Sequence, residues 1–219
     1  MPAGSGGEHG RPLYPSAGSW ELILGELGGI YPGALFCLVG KLARDGRTSS
    51  AMGRDEIDRL AAVCPSALDC FDRPLADQLA VVEACDLFLS PHTGFGTAAL
   101  AVGTPWLTLS GGPWPEYVFN GVPFHSLLPD TRRYPCYTGL EALPVLASDE
   151  DGEGPRTPSM SRTRIIEDLP ELLEAAEELI EGRLSYDHAL REHFPRLLAA
   201  CGGDRSRIFS IDAIHDRYL

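Results

Sequence analysis

Short, strand-length apolar runs alternate with helical stripes from about residue 20 to residue 129, and few architectures accommodate that rhythm. Leu35-Phe36-Cys37-Leu38-Val39 is continuously apolar between Gly33 and Gly40, the pattern of a strand buried on both faces. Further runs begin near residues 67, 87, 106 and 124. Between them Ile57, Leu60, Ala61 and Cys64 share one helical face, as do Leu75, Leu79, Val82 and Cys85, and Thr93 to Val102 reads as a third helix. Trp20, Ile23, Leu24 and Leu27 predict a helix ahead of the first strand, stopped at Gly28-Gly29. Strand–helix–strand units of this kind close right-handed and place their strands in parallel. The expected fold class is therefore α/β, a Rossmann-like parallel sheet of about five strands flanked by helices.

The rhythm is lost on either side of that block. Residues 1–18 are rich in Gly, Pro and Ser and read as a flexible lead-in to a domain spanning 19–129. Residues 130–162 hold Arg132-Arg133 and the charge run Asp149-Glu150-Asp151, and read as a long loop, partly disordered. That acidic triplet is a solvated run rather than a metal site. Two further stripes, one from Ile165 to Ile180 and one from Tyr186 to Leu198, predict a C-terminal helical appendage over 163–219 that packs on the domain.

In an open parallel sheet, ligands gather beyond the carboxyl ends of the strands. Read along that edge, the chain delivers Gly40-Lys41, Asp72-Arg73, the run Ser90 to Thr97, and Gly111 to Glu116. The third loop carries the most chemistry. Gly94 and Gly96 allow backbone N–H groups close to a ligand, and Thr93 and Thr97 add hydroxyls. His92 can donate to a phosphate oxygen, and Lys41, the only lysine of the chain, can supply a full positive charge. Glu116 suits the two hydroxyls of a ribose. Taken singly, the glycines serve a tight turn, Thr93 an N-cap and His92 a structural hydrogen bond. Their convergence on one edge is what points to an anionic ligand. No catalytic residue and no metal ligand is assigned.

Charge excludes some partners. A net charge of −13 argues against nucleic acid and against anionic membrane surfaces, which reward basic proteins. No apolar run approaches the roughly 20 residues of a membrane span, and a cytoplasmic protein is expected. The six cysteines, at 37, 64, 70, 85, 136 and 201, lack metal-finger spacing and read as reduced thiols. Gly94, Gly96 and Ala99 also satisfy G-x-G-x-x-A, so an NAD-dependent oxidoreductase competes as a reading. Against it, that fingerprint normally follows the first strand of its domain, and here two strand–helix units precede it.

The segment Ala84 to Thr97, followed by Ala98 to Val102 and Gly103-Thr104-Pro105, resembles the nucleotide-sugar-binding half of GT-B glycosyltransferases, most closely the heptosyltransferase-like group. Pro74 to Leu79 resembles the helix that precedes this strand in the family. The resemblance implies that Thr93, Gly94, Gly96 and Thr97 cradle the diphosphate of a nucleotide sugar, with His92 and Lys41 nearby and Glu116 on the ribose. It also implies metal-independent glycosyl transfer with no cofactor beyond the donor itself. Enzymes of that family carry an N-terminal acceptor domain, which this chain lacks, so an acceptor-binding domain or partner chain is expected for catalysis. A non-catalytic nucleotide-binding subunit and a homo-oligomer both stay open.

Overall fold

The structure is a computed structural model that describes residues 3–4, 11–42, 49–50, 52–64, 66–110, 121–129, 151–208 and 210–219. Helix α1 (Ala17–Ile30) starts where the Ser16 hydroxyl accepts the Ser19 N–H at 3.0 Å, satisfying one of the open donors of the first turn. Trp20, Ile23, Leu24 and Leu27 form its buried stripe. The helix runs through Gly28-Gly29, because Tyr31 N–H still reaches the Leu27 carbonyl at 2.8 Å; Pro32 follows.

Strands form where the apolar runs predict them: β2 (Phe36–Leu38), β4 (Ala67–Asp69), β5 (Phe88–Pro91), β6 (Trp106–Leu109) and β7 (Phe124–Leu127). Two-residue strands β1 (Ala3–Gly4) and β3 (Ser49–Ser50) pair antiparallel at the periphery. All five longer strands are parallel to their partners, with Phe36 opposite Ala67, Phe88 opposite Trp106 and Trp106 opposite Phe124. One expectation is corrected. The strands do not make a single five-stranded sheet; β2 pairs with β4, β5-β6-β7 form a separate three-stranded sheet, and an apolar cavity bordered by β2 and β5 lies where a joining ladder would run.

Helices flank both sheets. Helix α2 (Arg54–Val63) packs on α1 and buries Ile57 and Leu60, while α3 (Leu75–Glu83) packs on α4 (Ala98–Val102). The sequence predicts a helix from Thr93, but 94–97 are turns and α4 is short, because Thr93 uses its side chain inside the loop. Gly103, in the left-handed region at φ 81°, ends α4 with its N–H on the Ala99 carbonyl.

The C-terminal helices α5 (Arg162–Ile180) and α6 (Tyr186–Ala200) start at Ser161 and Ser185, whose hydroxyls cap them, and each carries an internal proline, Pro170 or Pro195. Helix α5 lies against α1, β6 and β7, and α6 against β7. Residues 11–13, within the stretch read as a lead-in, form a 3-10 turn, and Tyr14 is buried. Within the stretch read as a long loop, Thr157 and Met160 are buried and Thr157 N–H bonds the Pro12 carbonyl at 2.9 Å. No described helix is long and apolar enough to cross a membrane. The five described cysteines are free thiols; Cys136 lies outside the described residues.

Candidate functional site

The strand-end loops gather around β5. Trp106 is fully buried on β6, and its indole N–H donates to the Ser90 hydroxyl at 2.9 Å; that hydroxyl donates on to the Pro91 carbonyl at 2.9 Å. Ser90, Thr108 and Ser126 stand in register across the three strands, all fully buried, so a row of small hydroxyls lies beneath the loop. Directly after β5, the His92 ring packs 5.6 Å from the Trp106 ring. Burial, and then the charge of nearby His193, lower the His92 pKa to about 3, so the imidazole is neutral at physiological pH.

The loop is tied internally. The Gly96 N–H donates to Thr93 Oγ1 at 2.8 Å, and the Thr97 hydroxyl donates to the Gly94 carbonyl at 2.6 Å. His92, Thr93 and Gly96 are buried, whereas Gly94 and Thr97 are exposed on the outer face. A Cβ at Gly94 would meet nothing within 4 Å. At Gly96 it would stand 2.7 Å from Trp106 Cζ2 and 3.1 Å from both the Pro91 carbonyl oxygen and Ser90 Oγ. The requirement for glycine at 96 therefore comes from the indole behind the loop. Gly96→Ala is expected to destabilise the fold by about 2 kcal/mol through overpacking, measured by urea unfolding.

Lys41 stands on the other sheet, after β2, half-buried, with its carbonyl accepting the Ser50 N–H at 2.5 Å. The backbone beside it is held by a residue whose role the sequence does not disclose. Gln78 of α3 accepts the Gly40 N–H at 2.7 Å and donates to the carbonyls of Gly40 and Arg73, at 3.1 and 2.8 Å. A glutamine buried to 4% exposure within an apolar helical face is the one signal that could have marked it. Gly40 itself sits at φ 153°, and a Cβ there would lie 2.6 Å from the Phe71 ring. Asp72, after β4, adopts φ 60° and accepts the Leu42 N–H at 2.8 Å, which ties the loops after β2 and β4 together. Glu116 lies outside the described residues.

The structure thus brings His92, Thr93, Gly94, Gly96 and Thr97 into one rigid turn, with Lys41 on the loop after β2. The chemistry on the exposed side is that of neutral donors, hydroxyl and backbone amide, with one ammonium in the chain to join them. Among the described residues, no three His, Cys, Asp or Glu side chains come together as a metal ion would need. Comparison with protein-family models, with curated proteins and with solved structures returns no match for this chain.

Proposed function

We propose that the chain is the donor-binding half of a GT-B-type glycosyltransferase, holding a nucleoside diphosphate sugar beyond the carboxyl ends of β2 and β5. One observation carries this reading. The strand that follows β2 pairs on one side of the cavity and the strand that follows β5 pairs on the other, so the chain changes direction there. In open α/β sheets such a reversal leaves a crevice between strand-end loops, and that crevice is where nucleotides bind.

In this role Gly94 and Thr97 face the diphosphate, Lys41 neutralises part of its charge, and the bonds within the turn keep the amides oriented before the ligand arrives. Neutral His92 acts from beneath, fixing the turn against Trp106. Charge developing on the departing nucleoside diphosphate is stabilised by donors that need no reorganisation. The acceptor comes from a separate domain or chain.

Calorimetric titration of the folded protein with UDP, ADP, GDP and dTDP and their sugars tests the proposal. Binding of one nucleotide class is expected, weakened about tenfold in Lys41→Met, the loss of one charge-assisted contact. Absence of binding to every nucleotide overturns it. Tight binding of NAD(H) instead assigns the crevice to a dinucleotide.

A further inference from the structure

The cavity bordered by β2 and β5 encloses about 780 Å³ and is independent of the nucleotide reading. Its walls explain most of the large apolar side chains that the described surface leaves open: Leu35 at 63% exposure, Ile30 at 50%, Leu68 at 42% and Ile180 at 37% all line it. Helix α1 contributes Trp20, Leu24 and Leu27 to the lining, and α3 contributes Val81 and Val82. An occupant is therefore enclosed by helices as well as by strands.

Backbone direction shows what shape fits. Cys70 and Asp72 donate to the carbonyls of Leu38 and Gly40, so those β2 residues aim their peptide groups at β4, and the alternate residues, Cys37 and Val39, aim theirs at the cavity side. Phe88 and His92 donate to the carbonyls of Pro105 and Leu109 on the β6 side, so Leu87 and Leu89 are likewise directed at the cavity side. Among the described residues no ladder joins β2 to β5. Two parallel sheets thus turn strand edges toward one apolar slot.

Charge narrows the choice further. Of the residues lining the slot, Asp86 alone is charged, and it stands at the end where β5 begins. At the same end Tyr31 lines the slot, and Glu177 and Glu181 act on its hydroxyl, while Arg183 pairs with both of those carboxylates. The opening keeps a net negative charge and the interior is uncharged.

We infer that this slot receives one extended strand from a partner polypeptide: about five uncharged apolar residues preceded by a basic one, running parallel to β2 and β5 and joining both sheets into one. A strand covered on both faces is continuously apolar, and backbone pairing with alternating side-chain pockets is the established physics of strand addition. The basic residue at its N-terminal end meets Asp86, Glu177 and Glu181.

The test titrates the protein with a synthetic peptide whose core is a short run of Val and Leu with lysines at both ends. Two controls share that core, one interrupted by proline at alternate positions and one flanked by glutamates. Tighter binding of the lysine-flanked peptide by about tenfold over each control is expected, the size of one lost hydrogen bond or charge contact. Hydrogen exchange should slow at the amides of Cys37 and Val39. Leu35→Asp, at an exposed position, should weaken binding, and Cys37→Pro should do so by removing an N–H from the cavity edge of β2 alone. Should Cys37→Pro fail to fold, Leu35→Asp decides. No binding, equal binding of the proline-interrupted peptide, or indifference to Leu35→Asp overturns the inference. A dimer of this chain that the peptide cannot dissociate assigns the slot to a second copy and overturns it also.

Discussion

Trp106→Ala is expected to cost about 3–5 kcal/mol of stability, the range for deleting a fully buried large aromatic side chain. Trp106 has no exposed surface, it donates to Ser90, and its ring supports His92 and closes on Gly96. Urea unfolding followed by circular dichroism measures the loss. A double-mutant cycle then tests the physical cause. Gly96→Ala is costly because its Cβ would meet the indole, so its penalty should largely vanish in the Trp106→Ala background, where the space is open. An undiminished penalty would place the cause in the backbone of the turn instead.

The second large effect depends on pH. In the unfolded chain His92 titrates near 6.5, about the ordinary histidine value, whereas the folded ring is held to about 3 by burial and by His193. Between those values the unfolded state binds the proton and the native state does not. Stability from this group is therefore full above about 6.5 and falls as the pH drops toward 3, by about 1.4 kcal/mol for each unit once the unfolded imidazole is protonated. Urea midpoints compared between about pH 7.5 and 5.5, where carboxylates remain ionised, should fall with acidity. His92→Phe keeps an aromatic ring against Trp106 and should flatten that slope; an unchanged slope would assign it to another histidine.

Local pattern was enough to place the strands and most of the helices. The continuous apolar run Leu35 to Val39 became β2, and the stripes at Ile57 to Leu60 and Ile165 to Leu179 are buried faces of α2 and α5. Parallel pairing followed from helices intervening between strands. The site was legible as a list of residues but not as an arrangement. Thr93 reads as an N-cap or a ligand donor, yet its side chain accepts Gly96 N–H within the loop. Gly96 reads as a backbone that must approach a phosphate, yet the side chain it meets is an indole ten positions on. Gln78 attracts no notice among alanines and valines, and it holds the backbone next to Lys41.

Periodicity of 2.0 and 3.6 is a property of neighbouring residues, so the sequence by itself determined which stretches are strands and helices, which faces are apolar, and that the sheet is parallel. Contacts through space are not local. Only the tertiary structure decided that the strands divide into a pair and a triplet around an apolar slot, that His92 is buried and neutral, and that the exposed side of the loop is left to Gly94 and Thr97. Each of those outcomes depends on what lies on the far side of an element, the indole behind Gly96 or the helices around the slot, and a one-dimensional pattern holds no information about that neighbour.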